Sequence, residues 1–550
     1  MKKLIWASLD DYLPPASGFQ HVGRTVANHN FFQAFLKYGH FDEYHFFLAN
    51  SAHQRSFEKG HKPFLESIGV SEKVKLFTRL ELTAQLQRSE YTVFHQSDHI
   101  ALLNSLCHLR NQLGSFPVTA RIHSLSYQHF MGKYLEMALG GVTSGDSLIC
   151  SSKSGKRVLE NCFQQISDRL GIDHPPMKMK VIPLGIDGAR FCPGDPIEGR
   201  KRLGLDEKET IGLCVGRFSD YDKMDLFPLL QAFQAICEKD CSWRLILAGA
   251  VHSEDYLRVL ELWTRALGIT DRVTLLTNLS EDDKVALYRS ADFFISLSDN
   301  PQETFGLTLL EAMACGLPLV VSDFDGYREI VSDGVGEKIR TTWSELEPLV
   351  MIGPLMDAVT YHRYLAQSVC IDVDQLARVM RAFFSHPDQC QEMGRVARDR
   401  FLRHYDDRVV IPALKELWLN LKESFHSDPG ELRSDPLAMN VFQCFSHYVT
   451  QTLDRGMKIK LSRFGRSLLE SQTEYPLLAE MMGLVDHEEV KAIMRHTQTP
   501  CSVGDLIGKH PGTVWKKRYW ILWMLKHGIL GFMDEDNRSE EGEHSHDGYG

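Results

Sequence analysis

The sequence predicts an α/β fold on parallel sheets, in more than one domain, with a helical appendage toward its C-terminal end. Three observations predict it. Short apolar runs such as EYHFFLAN, PVTARIH, IGLCVG and WRLILAGA alternate with helical stretches, the rhythm of parallel strands joined by crossover helices. The 550 residues are too many for one core and suggest two to four domains. Residues 299–330, DNPQETFGLTLLEAMACGLPLVVSDFDGYREI, read as loop, helix, tight stop, strand and loop. Gly316 is a natural helix stop there, and Pro318 forbids continuation.

Composition narrows the class. With 43% hydrophobic and 24% charged residues the chain is neither fibrous nor disordered as a whole. A net charge of −11 argues against a general nucleic-acid binder, while leaving room for local basic patches. The twelve Cys show no C-x-x-C pairs, and no secretory apolar core follows Met1-Lys2-Lys3. Free thiols in a reducing cytoplasm are therefore expected. No apolar run approaches the roughly 20 residues needed to span a bilayer, so membrane contact is expected to be peripheral at most.

In order, MKKLIWAS opens with a strand. Gly18 and Gly23 then precede a helix from about Arg24 to Tyr38, a strand–glycine loop–helix unit of the kind that binds phosphate or sugar. EYHFFLAN, YTVFHQSD and PVTARIHSLSY are strands, the last ending at His123. SLIC is a strand and SSKSGKRVLE a capped helix start. KVIPLGIDGARFCP, punctuated by Pro183, Gly185 and Gly188, is a linker.

IGLCVG opens the second domain. Arg217 follows it and Lys223 lies six residues later, two cations at the mouth of a parallel sheet that suit a diphosphate. WRLILAGA, RVTLLTNLS and DFFISLSD are further strands. From Thr304 to Ser322 the only charged residue is Glu311, a carboxylate that needs a polar partner in so apolar a helix. Glu303 lies eight residues earlier, about 12 Å away along a helix axis, with the free N–H groups of the helix start between. That spacing suits gripping an elongated polar ligand.

Residues 340–369 show no clear pattern and are expected to form a partly helical excursion. HSDPGELRSDP, near 426–436, is a linker. Beyond it, MNVFQCFSHYVTQTLDRGMKI and RFGRSLLESQTEYPLLAEMMGLV read as helical. The later rhythm of helix, short helix, longer helix and strand resembles a winged-helix module. Lys509, Lys516, Lys517 and Arg518 are basic, as DNA binding would need. Trp515, Tyr519, Trp520 and Trp523 form an apolar stripe that points instead to a structural or protein-binding role. DEDNRSEEGEHSHDGYG is acidic and expected to be disordered.

Glu303, seven residues, then Glu311 resembles the E-x7-E motif of retaining glycosyltransferases with the GT-B fold, in particular glycosyltransferase family 4. QETFGLTLLEAMACGLPLVVSDFDGYREIV is similar to that family throughout, including its S-D-x-x-G-x-x-E. So are the V-I-P-x-G-x-D-x-x-x-F-x-P linker and the G-R-x-x-x-x-K pair. The resemblance runs up to the linker at 426–436. It implies two Rossmann-like domains facing across a cleft. Residues 1–182 would be the acceptor domain, joined by a return helix at 405–425, and 183–404 the nucleotide-sugar donor domain. The appendage would then be 437–532 and the tail 533–550.

The implied activity is transfer of a sugar, with retention, from a nucleotide-diphosphate sugar to an unidentified acceptor. The implied catalytic residues are His123, Arg217, Lys223 and Glu303. Donor contacts would add Gly18, Asn278, Leu279, Phe305, Gly306, Leu307, Thr308 and Glu311. No cofactor or metal is expected, because Arg217, Lys223 and the helix start would neutralise the diphosphate. A protein partner is expected at the C-terminal module, and nucleic acid is not. Many relatives place Gly after the lysine where this chain has Met224. A sugar-nucleotide epimerase on the same fold, or a non-catalytic scaffold acting through the C-terminal module, are the other readings the residues allow.

Overall fold

The computed structural model describes residues 2–13, 23–238, 241–332, 334–427, 437, 439–471, 475, 477, 481 and 484–533. Two compact units divide the chain, one comprising Met1–Leu48 with Phe57–Leu437, the other Ala49–Ser56 with Ala438–Gly550.

The first unit holds two parallel sheets. Strands β1 (Ile5–Ser8), β2 (Glu43–Leu48), β3 (Val74–Thr78), β4 (Val93–Gln96), β5 (Val118–Arg121), β6 (Ser147–Cys150) and β7 (Lys178–Val181) form a seven-stranded sheet in the order β3-β2-β1-β4-β5-β6-β7. Strands β8 (Thr210–Val215), β9 (Trp243–Gly249), β10 (Val273–Thr277), β11 (Phe293–Ser296), β12 (Leu319–Ser322) and β13 (Gly336–Ile339) form a second, in the order β10-β9-β8-β11-β12-β13. Every strand pair in both sheets is parallel. In each sheet the order reverses beside the first strand, where the loops diverge and leave a crevice at the carboxyl ends.

The central strands are apolar on both sides because helices cover both faces. Trp6, Phe35, Phe46 and Trp418 fill one face of the first sheet, and Phe94, Leu103, Leu148 and Phe163 the other. Leu213, Phe294, Leu309 and Val321 pack one face of the second sheet, and Leu229, Leu247, Ile295 and Met380 the other. The twelve cysteines are free thiols.

Two expectations are corrected here. Strand β3 was not anticipated: its VKLFT is an edge strand, half-buried and exposed at Lys75, so it lacks the apolar run of its neighbours. β5 stops at Arg121, so His123 sits on the loop two residues past the strand.

The excursion at 340–369 is partly helical, as expected. It leaves and returns through an antiparallel ribbon of β14 (Thr341–Thr342) and β15 (Cys370–Ile371), and carries helices Glu347–Ile352 and Ala358–Ala366. The helix Asp407–Ser427 then crosses back, placing Trp418 against Trp6 and donating its Nε1–H to Thr119 Oγ1 at 3.0 Å. The chain thus crosses between the sheets twice. The two crossings touch in a parallel bridge between Ile186 and Asp406.

The second unit is helical with a small antiparallel sheet, β17-β16-β18, built from β16 (Lys458–Leu461), β17 (Cys501–Ser502) and β18 (Leu530–Phe532). The helical reading of residues 439–459 is overturned. Only Val441–Cys444 is α-helical there, and KIKL becomes the middle strand. Its period of two explains this: Ile459 and Leu461 are buried, while Lys458 points out. Helices His487–His496, Val503–Lys509 and Val514–Lys526 follow in the expected rhythm. Trp520 and Trp523 are core residues. Lys517 is turned inward, its ammonium donating to the carbonyls of Ile507 and His510 at 2.6 and 2.7 Å, so it is no part of a basic surface. Most of the tail, 534–550, and most of the linker lie outside the described residues.

Candidate active site between two sheets

A cleft of about 880 Å³ opens where the carboxyl ends of the two sheets face each other. Its floor on one side is the loop following β8. Gly249 at the end of β9 makes room for that loop: a Cβ there would stand 1.7 Å from the carbonyl oxygen of Gly216. Met224, at the position where the resemblance leads one to expect glycine, is buried in the same apolar cluster as Leu229, Leu245 and Leu247. It does not need the left-handed backbone that glycine would supply.

Lys223 reaches from this loop to Glu303, Nζ to Oε2 at 2.9 Å, with the hydroxyl of Tyr327 at 3.5 Å. The other Glu303 oxygen accepts from the backbone N–H of Thr304 and of Phe305, both at 3.3 Å. Burial alone would raise the Glu303 carboxyl, but the Lys223 charge and these hydrogen bonds hold it below the usual range. The same pairing raises Lys223 against its own burial. Both are therefore ionised at neutral pH. Arg217 lines the cleft beside them, steadied by Asp222 at 3.2 Å.

The helix Leu307–Ala314 begins at the cleft. Gly306 caps it with φ +107°, and a Cβ at that position would lie 2.5 Å from the Tyr327 ring, so no other residue fits. Thr308 Oγ1 is buried there without a partner among the described residues. The expected polar partners of Glu311 are Lys284, at 2.6 Å, and the hydroxyl of Tyr288, at 2.8 Å. Asn278 and Leu279 line the same wall, Asn278 with φ +53°.

The opposite wall belongs to the first sheet. His123 Nε2 donates to the Ser97 carbonyl at 2.7 Å, which fixes the tautomer and leaves Nδ1 as an acceptor. Burial pushes this imidazole down to about 3, so it is neutral. It can accept a hydrogen bond from a hydroxyl but carries no positive charge. Among the described residues no group of three or more His, Cys, Asp or Glu could hold a metal ion. Of the residues that the resemblance implied to be catalytic or donor-binding, all but one line this single cleft. The exception, Gly18, lies outside the described residues.

The two walls are clasped. Glu329 accepts from the N–H groups of Lys153 and Ser154 at 2.8 and 2.7 Å, capping the helix Lys153–Leu170 of the first domain. Ser152 donates to the carbonyl of Thr304, directly after Glu303, at 2.8 Å. On the other side of the cleft the excursion crosses over: Ser126 Oγ donates to His362 Nε2 at 2.9 Å, and Gln128 donates to Tyr361 at 3.0 Å.

Residues 197–345 match the family model described as "Glycosyl transferases group 1". Residues 197–345 are thus similar to that family, and the two facing parallel sheets have the GT-B fold. A D-inositol 3-phosphate glycosyltransferase of Geodermatophilus obscurus is 34% identical over 200 residues, 35% of this chain and 42% of that protein. The same-named protein of Mycobacterium sp. (strain JLS) is 31% identical over 248 residues, 43% and 55% of the two chains. The alignments thus span about half of these curated relatives, or less. Among solved structures, Anabaena HepE in complex with UDP has a TM-score of 0.52 at 16% identity, covering 75% of this chain and 98% of that one. Sucrose-phosphate synthase from Thermosynechococcus elongatus has a TM-score of 0.50 at 17% identity, covering 77% and 100%.

Within the matched segment, the sequence alone left Tyr327, Lys284, Tyr288 and Glu329 without roles. Tyr327 and Glu329 lie inside the quoted S-D-x-x-G-x-x-E, so a signal was present. What it could not show was that Tyr327 meets Lys223 and that Glu329 leaves its own domain.

Proposed function

We propose that the chain is a retaining glycosyltransferase that moves a sugar from a nucleotide-diphosphate donor to an acceptor hydroxyl, and that it works in the cytoplasm. The observation that carries this is the Lys223–Glu303 ion pair at the start of the helix Leu307–Ala314, with Arg217 beside it and Glu311 on the second turn of that helix. Arg217, Lys223 and the helix start would take the diphosphate, Glu303 the sugar hydroxyls, and Glu311 the ribose, with Asn278 and Leu279 at the base. That HepE was crystallised with UDP, with UDP and glucose, and with UDP-glucose supports a donor of this class.

Charge develops on the leaving β-phosphate as the bond from the anomeric carbon breaks. The two cations and the N–H groups of the helix start would meet that charge. Glu303 is held ionised and paired, and His123 is neutral with its one proton committed to Ser97. Neither is poised as a general base near neutral pH. The acceptor hydroxyl therefore attacks on the face the diphosphate leaves, and its proton passes to the departing phosphate oxygen. No divalent metal is assigned, since the cations carry the neutralisation.

The test is a thermal-shift panel of UDP-, GDP- and ADP-sugars followed by NMR of the product's anomeric proton. Stabilisation by one nucleotide class and a product with the donor's configuration are expected. An inverted product, or no shift by any nucleotide sugar, would refute the reading.

A further inference from the structure

The excursion between β14 and β15 exposes an unusual amount of apolar surface. Met351 is 77% and Leu355 86% exposed, and Leu346, Val350 and Ile352 are also open to solvent. Isolated exposed aliphatics are ordinary, but a contiguous run of them marks a binding surface. This run leads into the cleft, because Val359, four residues after Leu355, lines it while remaining 42% exposed. The run also starts where the family match ends, at residue 345, so it lies outside the segment shared with that family. Its far end touches the first domain through His362 and Tyr361.

Charge says what would lie on it. Between Arg340 and Arg363 there is no Lys or Arg, while Glu345, Glu347 and Asp357 are present. The run itself carries no cation to hold a phosphate headgroup, its three carboxylates repel an anionic bilayer, and the flanking Arg340 and Arg363 are paired with Asp372 and Asp220. The diphosphate end of the donor is served by Arg217 and Lys223 instead. We infer that residues 346–359 form a track for the uncharged apolar portion of the acceptor, whose hydroxyl enters the cleft beside His123. The acceptor class is then a hydroxyl-bearing head on an apolar tail. This rests on the glycosyltransferase reading above.

The test uses the full-length chain and alkyl β-maltosides with octyl, decyl and dodecyl tails, kept below micelle formation, with maltose as the tailless control. Isothermal titration should show affinity rising about two- to fourfold per added methylene. The Met351→Ser/Leu355→Ser variant should lose that dependence while keeping the melting shift given by the best nucleotide sugar. Affinity independent of tail length, or unchanged in the variant, overturns the proposal. So does variant-sensitive binding to phosphatidylglycerol vesicles without tail dependence, which would assign the surface to a membrane. A wild-type dimer that the variant dissociates, seen by sedimentation, would assign it to a second copy and equally overturn it. Failure of every nucleotide sugar to shift melting counts against the glycosyltransferase reading, while the tail-length series judges the track separately.

Discussion

Lys223 and Glu303 form a largely buried pair whose members depend on each other. Lys223→Ala would strand a carboxylate, at a cost of about 3–5 kcal/mol for a buried charge left alone. A clear fall in melting temperature is expected, with transfer reduced by at least about 10²-fold. Lys223→Met combined with Glu303→Gln should restore melting but not transfer, and recovery of transfer would show that the pair is merely structural. Because the folded Glu303 carboxyl lies below its unfolded value, its contribution to stability is complete above the unfolded value, near 4.5, and is lost as pH falls through the folded one. Glu311 was legible because a charge in so apolar a helix stands out, whereas Arg217, Lys223 and Glu303 lie in polar loops and were picked out by their place at a sheet mouth and by the resemblance. Lys284 and Tyr288 were not, since only tertiary packing brings them to Glu311.

The clasp by Glu329 and the paired crossings of the chain govern how the domains meet. Glu329→Ala removes a carboxylate from a helix start, where charge-assisted hydrogen bonds contribute about 1.5–3 kcal/mol in all. A wider interdomain separation in small-angle scattering and a kcat/KM lower by about tenfold are expected, with Glu329→Gln partly rescuing both. Unchanged scattering together with unchanged kinetics would dismiss the clasp. At the second crossing, burial, Asp187 and Asp406 push the Asp407 carboxyl up to about 8, against a smaller opposing effect of Lys37. The folded chain therefore holds a proton that the unfolded chain releases near 3.8. The contribution is full below that unfolded value and lost progressively as pH rises toward 8. Asp407→Asn should flatten the decline of melting temperature between pH 5 and about 8. Alternating strands and helices were readable from their apolar rhythm. The short strand β16 and the edge strand β3 were not, because four or five residues with mixed burial give little periodicity.

At the scale of the molecule, parallel sheets in more than one domain followed from the length and the repeated strand–helix alternation, and their number and facing arrangement from the resemblance. The resemblance that supplied the cleft was carried by three separate motifs and stopped at the linker near 426–436, so it left the appendage unread. The C-terminal unit has a core of its own, with Ile459, Val490, Leu506 and Ile521 at its centre. Removing residues 437–550 should therefore leave the nucleotide-sugar melting shift within about a degree of the full-length value, a ligand-linked stabilisation set by the cleft alone. Loss of the shift would place the appendage in donor binding. Nothing in the appendage's sequence names its partner, because Lys517, Trp520 and Trp523 are spent on internal packing, and of the three tryptophans in the stripe only Trp515 stays open to solvent.

Trp418, far along the chain, completes the packing around Trp6, near its beginning. A ribosome reading this message makes the opening lobe first but cannot finish it. That lobe must wait, one sheet face uncovered, while some two hundred intervening residues emerge and form the other lobe. Synthesis halted before the returning helix would release a chain with a folded second lobe and an exposed, aggregation-prone first one.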